Sequence, residues 1–328
     1  MVFCKCVKSP AIFVPGGINT KLKTVGEAAV QRLFGAYVIV DYTAAEGKKT
    51  GESSMWIGVM KRDVRFRLSY EAHNPATRAE GLALLRNLLA DLKKRGDRVL
   101  LGVNFALGFP RGTAQRLQLK GAPWEALWDF LGKNIVDKPD NTNNRFQVAA
   151  KMNRLMTDEA YPFWGCPKSA AQKWLSTLKP DSFGDFPEFR LTEDATKKLK
   201  KTAHAKSLWQ MHGAGVVGGQ SMLGITALKA LVNGDDVKAW PFQTGFAALD
   251  LETLQGVSTI AAEVLPAMYD GTAHTGEVKD AAQVRFAAEA LAELDDKGEI
   301  GNLFAAPKSL SEAHAGIAAT EEGWILGV

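Results

Sequence analysis

The amino-acid sequence predicts an α/β protein: a mixed β-sheet flanked by helices and interrupted by a large, mostly helical insertion. Three apolar runs, at residues 36–41, 99–104 and 257–263, have the continuous hydrophobic character of strands buried on both faces. Segments with helical periodicity lie between the first and second runs, after the second run and after the third run. The 328 residues, of which 46% are hydrophobic and 23% charged, are enough for a full core.

The first part of the sheet is predicted from residues 36–70. The run 36–41 predicts a buried strand that ends in an acid, Asp41. The runs 55–60 and 64–70 predict a hairpin, because the three polar residues 61–63 between them have the length of a hairpin turn. Three strands in antiparallel order are therefore expected.

A helix and a fourth strand follow. Thr77 is a suitable N-cap for a helix over residues 78–95, and Gly96 is expected to end it. Its apolar face consists of Leu82, Leu85, Leu88, Leu89 and Leu92. The next strand, 99–104, ends in Asn104 and is predicted to lie beside the first strand, because one crossover helix joins them at low topological cost.

The remaining chain divides into an insertion and the second part of the core. We predict a basic N-terminal extension at 1–34, a first core segment at 35–105, a helical insertion at 106–250 and a second core segment at 251–328. The second core segment contains a strand that ends in Glu263 and a helix over about 278–294 with Asp280 in its first turn. The apolar C-terminus is expected to dock on the body.

The charge distribution argues against tight binding of duplex nucleic acid through bulk charge. Residues 1–34 hold five basic residues and one acidic residue, which accounts for the whole net charge of +4. A local basic groove for a nucleotide or a nucleic acid remains compatible with this balance. No apolar run reaches the roughly 18 to 20 residues that cross a bilayer, and a secretory signal pattern is lacking, so we expect a cytoplasmic protein without a membrane partner. The sequence leaves the oligomeric state open.

Polar residues at the ends of the predicted strands suggest a metal site. Asp41, Asn104 and Glu263 each end a buried strand, and Asp280 begins a helix, so all four are expected to converge at one sheet edge as catalytic residues. Mg²⁺ and Mn²⁺ prefer such oxygen ligands, and we expect Asp41, Glu263 and Asp280 to hold the ion. The alternative is that these residues only form turns and cap helices.

Four segments near these positions carry a family resemblance: 41–44 (DYTA), 104–108 (NFALG), 263–266 (EVLP) and 322–327 (EGWILG). They resemble the signature blocks of an uncharacterised bacterial family of predicted nucleases with the ribonuclease H-like fold. Three insertion segments resemble a narrower branch of that family, some members of which carry labels for cobalamin or molybdopterin biosynthesis: 143–146 (NNRF), 162–165 (PFWG) and 240–245 (WPFQTG). The resemblance implies metal-dependent phosphodiester hydrolysis with Asp41 as the central ligand.

One departure from the family block keeps alternatives open. The block usually has an aspartate where this chain has Asn104, and a neutral carboxamide is a weaker cation ligand. The first hypothesis is a metal-dependent phosphodiester or nucleotide hydrolase. The alternative is a non-catalytic phosphate-binding or accessory protein, linked to cofactor biosynthesis by the narrower branch. A phosphotransferase is a third reading, although the sequence lacks paired glycine-rich phosphate loops.

A glycine-rich segment is the second candidate site. Gly213, Gly215 and Gly218 match the GxGxxG spacing, and Gly219 extends the run before a helical stretch at 221–232. The dinucleotide reading is weak, because the polar segment 206–210 stands where a buried strand should lead in. The loop can still hold a phosphate at a helix N-terminus. A basic run upstream either assists it or is a solvated helix face: Lys197, Lys198, Lys200, Lys201 and Lys206.

Other chemistries find little support. The sequence contains no GxSxG, HExxH or P-loop motif, and its five histidines are not paired at ligand spacing. His212, beside the glycines, is the one histidine of interest, although a hydrogen-bonded structural role is the commoner outcome. Glu188 and Arg190 either face the cleft or form an exposed ion pair, which is commoner.

Overall fold

A six-stranded sheet forms the centre of the structure. The computed structural model describes residues 31–65, 67–199, 205–213 and 215–328. The strands are β1 (Ala36–Asp41), β2 (Trp56–Arg62), β3 (Leu68–His73), β4 (Val99–Val103), β5 (Val237–Ala239) and β6 (Thr259–Glu263). Their order across the sheet is β3-β2-β1-β4-β6-β5. The pairs β1–β2 and β2–β3 are antiparallel and the other pairs are parallel, so the sheet is mixed, as predicted.

Helices flank the sheet, which confirms the α/β class. Within the described ranges they are α1 (Arg78–Lys94), α2 (Thr113–Arg116), α3 (Pro123–Asn134), α4 (Arg145–Met156), α5 (Leu191–Thr196), α6 (Gly218–Lys229), α7 (Lys279–Asp296) and α8 (Glu312–Ile317). Short 3₁₀ or π turns occur at Lys168–Ala170, Pro266–Met268, Ile300–Phe304 and Ala318–Glu322. The predicted cap of α1 is present, because Thr77 Oγ1 accepts a hydrogen bond from Glu80 N at 3.2 Å.

The strands that end at Asp41 and Asn104 are neighbours, as predicted. β1 and β4 run parallel, with Val40 opposite Val103. The predicted exclusion of residues 106–250 from the sheet is wrong at one point, since β5 belongs to this segment and pairs in parallel with β6. Three residues of strand are too short to give a sequence signal, and the edge of β6 supplies their hydrogen-bond partners.

The hairpin is shifted from its predicted position. The strand β2 continues to Arg62 and β3 begins only at Leu68, so residues 61 and 62, predicted as part of the turn, belong to a strand. Val64, predicted to begin a strand, is 95% exposed. The turn is organised by Asp63, whose Oδ1 accepts hydrogen bonds from Arg65 N at 2.8 Å and Arg67 N at 3.0 Å. An aspartate that binds its own backbone in this way favours a turn over a strand.

The two faces of the sheet bury different helices. Val38 and Val40 pack with α1 and with the insertion helices α3, α4 and α6. Tyr37 and Ile39, which alternate with them, pack with α7 on the other face. We call the first the insertion face and the second the α7 face. Because helices cover both faces of the sheet, its central strands are apolar along their whole length.

Both ends of the described chain dock on the core. The C-terminal segment binds as predicted: Leu326 N donates to Glu263 O at 2.9 Å, and Trp324 is buried. Leu33 and Phe34, assigned to the basic extension, are also buried, whereas residues 1–30 lie outside the described residues. Across the described ranges, no helix combines the length and the apolar character that crossing a bilayer requires.

A buried carboxylate joins the start of the described chain to α7. Asp295, fully buried in the last turn of α7, accepts hydrogen bonds from Leu33 N and Phe34 N, both at 2.8 Å, and from Tyr37 Oη at 2.6 Å. A carboxylate at a helix C-terminus opposes the helix dipole. The three donors offset this cost, because they satisfy both oxygens in the interior.

We predict that Asp295→Asn lowers the free energy of unfolding by about 2 kcal/mol, because an amide nitrogen replaces an oxygen that accepts buried hydrogen bonds. The measurement is urea denaturation of the full chain. The matched control is Asp91→Asn in α1, whose side chain is 73% exposed and pairs with Lys94. Its loss should stay within about 0.5 kcal/mol. Equal losses in the two variants would contradict the anchoring role.

Candidate functional site

Asp41 and Asn104 meet at the C-terminal ends of the neighbouring strands β1 and β4. Asn104 Nδ2 donates a hydrogen bond to Asp41 Oδ1. Asn104 Oδ1 accepts one from Tyr42 N at 2.7 Å, and Asn104 N donates to Val40 O at 3.1 Å. The carboxamide therefore uses both of its polar atoms inside the protein, and it fixes the orientation of the Asp41 carboxylate.

Asp280 reaches the same edge from α7. It lies in the first turn of the helix, on the sheet face toward which Asp41 points by strand alternation. Its Oδ2 accepts a hydrogen bond from Ser53 N at 2.7 Å. Asp41, Asn104 and Asp280 are hereafter called the Asp41 cluster. The structure thus brings together three of the four predicted site residues.

A side chain outside the predicted set holds the loop that faces Asp280. Asn74 Oδ1 accepts from Gly51 N at 2.7 Å, and Asn74 Nδ2 donates to Ser54 Oγ at 2.8 Å and to Met55 O at 2.6 Å. These bonds close the segment around Ser53. The sequence alone does not indicate this role of Asn74, because its partners are about 20 residues away in the chain.

The Asp41 cluster carries uncompensated negative charge. Burial, and next the negative charge of Asp280, raise the pKa of Asp41 to about 7, although the hydrogen bond from Asn104 opposes this. Within the described ranges neither Asp41 nor Asp280 forms an ion pair with a lysine, arginine or histidine. The cluster can therefore attract a cation, or hold a proton near neutral pH.

Glu263 does not join this cluster, and the prediction of its convergence is wrong. The strand registers align Val40, Val103 and Glu263 across the sheet, so Glu263 points to the insertion face. Asp41 is one residue further along and points to the α7 face. The physical reason is the two-residue alternation of side chains along a strand, in which a one-residue offset reverses the face.

The carboxylate of Glu263 is instead bound by Arg190. Arg190 Nη2 lies 2.6 Å from Glu263 Oε1 and Nη1 lies 2.8 Å from Oε2. The same guanidinium donates to Glu193 Oε1 at 2.5 Å and to Glu322 O at 2.9 Å. Burial raises the pKa of Glu263, and the guanidinium opposes this shift.

Arg190 was expected in a cleft or in an exposed ion pair with Glu188, and both expectations are wrong. Its side chain is 1% exposed, and Glu188 pairs with Lys179 instead, at 2.6 Å. Nothing local in the sequence marks Arg190 as a core residue. Its partners come from α5, β6 and the C-terminal segment, which only tertiary packing brings together.

The glycine-rich segment is a loop that leads into α6. Gly213 and Gly215 have φ values of +129° and +69°, and Gly218 and Gly219 form the first turn of the helix, which begins three residues earlier than predicted. No strand of the sheet leads into the described part of this loop; residue Gln210 makes only an isolated bridge to Trp164. This arrangement differs from a dinucleotide fold.

The basic run near this loop is largely solvated where it is described. Lys197 pairs with Asp194 at 2.7 Å and lies over the Phe189 ring, and Lys206 is exposed. His212 is exposed as well. Lys200 and Lys201 lie outside the described residues.

The described side chains offer limited means to hold a metal ion. No group of three or more His, Cys, Asp or Glu side chains in those ranges has the arrangement of a metal site. Asp41 and Asp280 remain as a pair of carboxylates, which is the smaller protein ligand set that Mg²⁺ uses together with water and substrate phosphates. The expected set with Glu263 is therefore reduced to two carboxylates.

We predict that Arg190→Met lowers the free energy of unfolding by about 3–5 kcal/mol, because it leaves the carboxylates of Glu263 and Glu193 buried without their cation. Adding Glu263→Met should recover part of this loss. Urea denaturation measures both. The control is Arg116→Met, since that guanidinium is 39% exposed, and a comparable loss in the control would contradict the network role.

We also predict that Asp41→Asn stabilises the protein at high pH. The pKa of Asp41 is raised from 3.8 to about 7 on folding, so wild type loses stability relative to the variant as the pH rises from about 4 to 8. The expected gain is on the order of 1–3 kcal/mol at pH 8, in metal-free buffer, and much smaller at pH 4.

Thermal melting across this pH range measures the gain. The control is Asp63→Asn, because Arg67 lowers the pKa of the Asp63 carboxyl, so this variant should gain nothing at pH 8. A pH-independent difference between wild type and Asp41→Asn would disprove the raised pKa.

Comparisons of this chain with protein-family models, with curated proteins and with solved structures found no match.

Proposed function

We propose that the protein hydrolyses a phosphate ester or anhydride bond at the Asp41 cluster, with the help of one divalent cation. The observation that carries the proposal is a pair of half-buried carboxylates, Asp41 and Asp280, at the C-terminal edge of parallel strands, with no cationic partner among the described residues. Such edges are the usual ligand crevices of α/β sheets. Hydrolysis of phosphate bonds is a reaction that Mg²⁺ and Mn²⁺ commonly assist.

The residues present fit one Mg²⁺ or Mn²⁺ ion better than two. Asp41 and Asp280 would hold the ion, and Asn104 would act through Asp41, since its polar atoms are already bonded to Asp41 and to Tyr42. Glu263 is excluded because Arg190 neutralises it. When bound, the ion would supply Lewis-acid stabilisation of the phosphate oxygens.

The residues around the carboxylates serve to position them. Asn104 holds Asp41, and the Ser53 amide holds Asp280, in a loop that Asn74 closes. A pKa of about 7 allows Asp41 to exchange a proton near neutrality when no cation is bound. Carboxylates fixed in this way would hold the cation in place, so that little reorganisation would be needed when negative charge develops on a substrate phosphate.

The sheet supports a ribonuclease H-like assignment, which we include in the proposal. An antiparallel unit, β1 to β3, is followed across a helix by β4 and, after the insertion, by β6, both parallel to β1. Asp41 ends the first strand and Asp280 begins a helix after the last. This is the order expected from the resemblance, with the acid of β4 replaced by Asn104.

A binding protein without hydrolase activity is the second candidate, and one observation favours it. Asn104 stands where the resembling family has an aspartate, and its carboxamide is used in holding the backbone of Tyr42. A site with two carboxylates binds cations weakly. The protein would then bind a phosphate-bearing ligand, as an accessory of a pathway such as cofactor biosynthesis.

We predict that Mn²⁺ stabilises wild type through the Asp41 cluster. At a hundredfold excess over its dissociation constant the ion should add about 2.7 kcal/mol, which is a rise of roughly 5 °C in melting temperature. Asp41→Asn and Asp280→Asn should each remove this shift. Asn104→Asp should melt lower without metal, because a third carboxylate adds repulsion, and should gain more with Mn²⁺.

The same variants test catalysis. With Mg²⁺ or Mn²⁺, wild type should convert phosphodiesters into a phosphomonoester and an alcohol, or release phosphate or pyrophosphate from nucleoside triphosphates. Asp41→Asn should do neither. Asp91→Asn, an exposed carboxylate on α1, is the control for the charge change. A rise in melting temperature with Mn²⁺ but no hydrolysis would favour the binding protein. Melting temperatures that do not change with Mn²⁺ in wild type or in any variant would disprove the hydrolase proposal.

A further inference from the structure

Helix α6 begins with three backbone N–H groups that have no acceptor in the described structure. Its N-cap residue, Val217, provides no side-chain hydrogen bond, and the first bonded amide is Ser221 N, which donates to Val217 O at 2.8 Å. The amides of Gly218, Gly219 and Gln220 precede it. With 12 residues in the helix, the dipole adds positive potential at this end.

Arg145 supplies a second and independent feature at the same place. The residue is 6% exposed, and its Nε is buried without a hydrogen-bond partner. That nitrogen lies 3.2 Å from the position that a Cβ atom on Gly219 would occupy. The guanidinium therefore packs directly against the first turn of α6.

The charge of Arg145 is only partly compensated. Its Nη1 donates to Glu46 Oε1 at 3.0 Å and to Asn143 Oδ1 at 2.8 Å. Glu46, the one carboxylate within ion-pair distance in the described structure, has a side chain that is 55% exposed, so water screens it. Burial lowers the pKa of Arg145, as expected for a cation that lacks a buried counter-ion.

Two of the glycines bring these groups together. A Cβ on Gly218 would lie 2.3 Å from Leu208 O and 2.4 Å from Gln210 O, and a Cβ on Gly219 would crowd Arg145. Larger residues would push the helix away from both neighbours. Gly213 and Gly215 serve the turn of the loop instead.

The start of α6 borders the Asp41 cluster. Gln220 Nε2 donates to Tyr42 O at 2.8 Å, and Tyr42 N donates to Asn104 Oδ1 at 2.7 Å. The end of β1 is thus bonded to α6 through Tyr42 and to the Asp41 cluster through Asn104.

We propose that the amides of Gly218 to Gln220 together with Arg145 bind a phosphate group of the substrate. This role as a substrate subsite rests on the proposed function, whereas the anion site itself does not. The substrate would carry this phosphate in addition to the bond at the Asp41 cluster. Residues 35–328 have no basic excess, so a small phosphorylated molecule fits better than a polynucleotide.

The test is isothermal titration of the metal-free protein with inorganic phosphate and with pyrophosphate. Wild type should bind both, and Arg145→Gln should weaken binding at least tenfold, because it removes the cation beside the helix amides. Arg154→Gln is the matched control. It lies on the same helix, α4, but its guanidinium lies over Trp174, and it should bind phosphate as wild type does.

A second variant covers the case in which Arg145→Gln does not fold. Val217→Asp places a carboxylate at the N-cap, where it competes for the free amides and repels an anion while favouring the helix. Because Val217 also packs against the core on the insertion face, some loss of melting temperature is expected. Phosphate binding by the folded variant should fall at least tenfold. Unchanged binding in a folded variant of either kind overturns the subsite.

The titrations and the hydrolysis assays distinguish failure of the phosphate subsite from failure of the proposed function. Phosphate binding that depends on Arg145, in a protein without metal response or hydrolysis, supports the anion site and refutes the hydrolase. Hydrolysis that depends on Asp41, with a Michaelis constant unaffected by Arg145→Gln, supports the hydrolase and refutes the subsite. Absence of phosphate and pyrophosphate binding by wild type also refutes the subsite.

Discussion

The candidate site depends on the parallel pairing of β1 with β4. This pairing sets Asn104 beside Asp41, so that one carboxamide bonds both the Asp41 carboxylate and the backbone of Tyr42. The pairing also sets which face each side chain takes. Asp41 therefore points toward α7, whose first turn carries Asp280. Two acids more than 200 residues apart in the chain come together because one helix crosses the end of one strand.

A second buried arrangement keeps the insertion in place. Arg190, at the start of α5, binds Glu263 of β6 and the backbone of Glu322 near the C-terminus. Glu322 in turn accepts hydrogen bonds from Leu191 N at 2.7 Å and Arg111 N at 2.8 Å. A buried ion pair adds little net stability compared with apolar packing, but its directional bonds favour one arrangement of the three segments.

The contrast between the two acidic groups explains why one is a site and the other is structural. Glu263 has a buried guanidinium as its partner, so its charge is neutralised and shielded from solvent. Among the described residues, the donors to Asp41 and Asp280 are neutral: Asn104 and the Ser53 amide. Carboxylates held in this way are costly to keep ionised when unoccupied. That cost is typical of functional sites, where a bound ion or proton offsets it.

Most of the secondary structure of the core, and two pairs of neighbouring site residues, could be predicted from the amino-acid sequence. The apolar runs of β1, β4 and β6, the capped helix α1 and the helix α7 were predictable, because hydrophobic period and capping are local properties. The neighbourhood of Asp41 and Asn104 followed from chain connectivity. The proximity of Asp280 to Asp41 was also anticipated, since a helix that follows the last strand returns over the sheet edge.

Which acids share a site depends on strand register and long-range packing, and local sequence patterns do not specify either. Glu263 looked equivalent to Asp41, yet a one-residue offset in register turned it to the opposite face, where Arg190 binds it. The roles of Arg190, Asn74 and Arg145 could not be predicted from the sequence, because each role depends on at least one partner that is distant in the chain. The exact position of the hairpin turn was not predicted, because it depends on hydrogen bonds between the Asp63 side chain and the backbone. The strand β5 was not predicted either, because three residues at a sheet edge depend on pairing with β6 rather than on periodicity. Local sequence patterns specify the helices and strands, whereas long-range packing specifies which charged side chains come together.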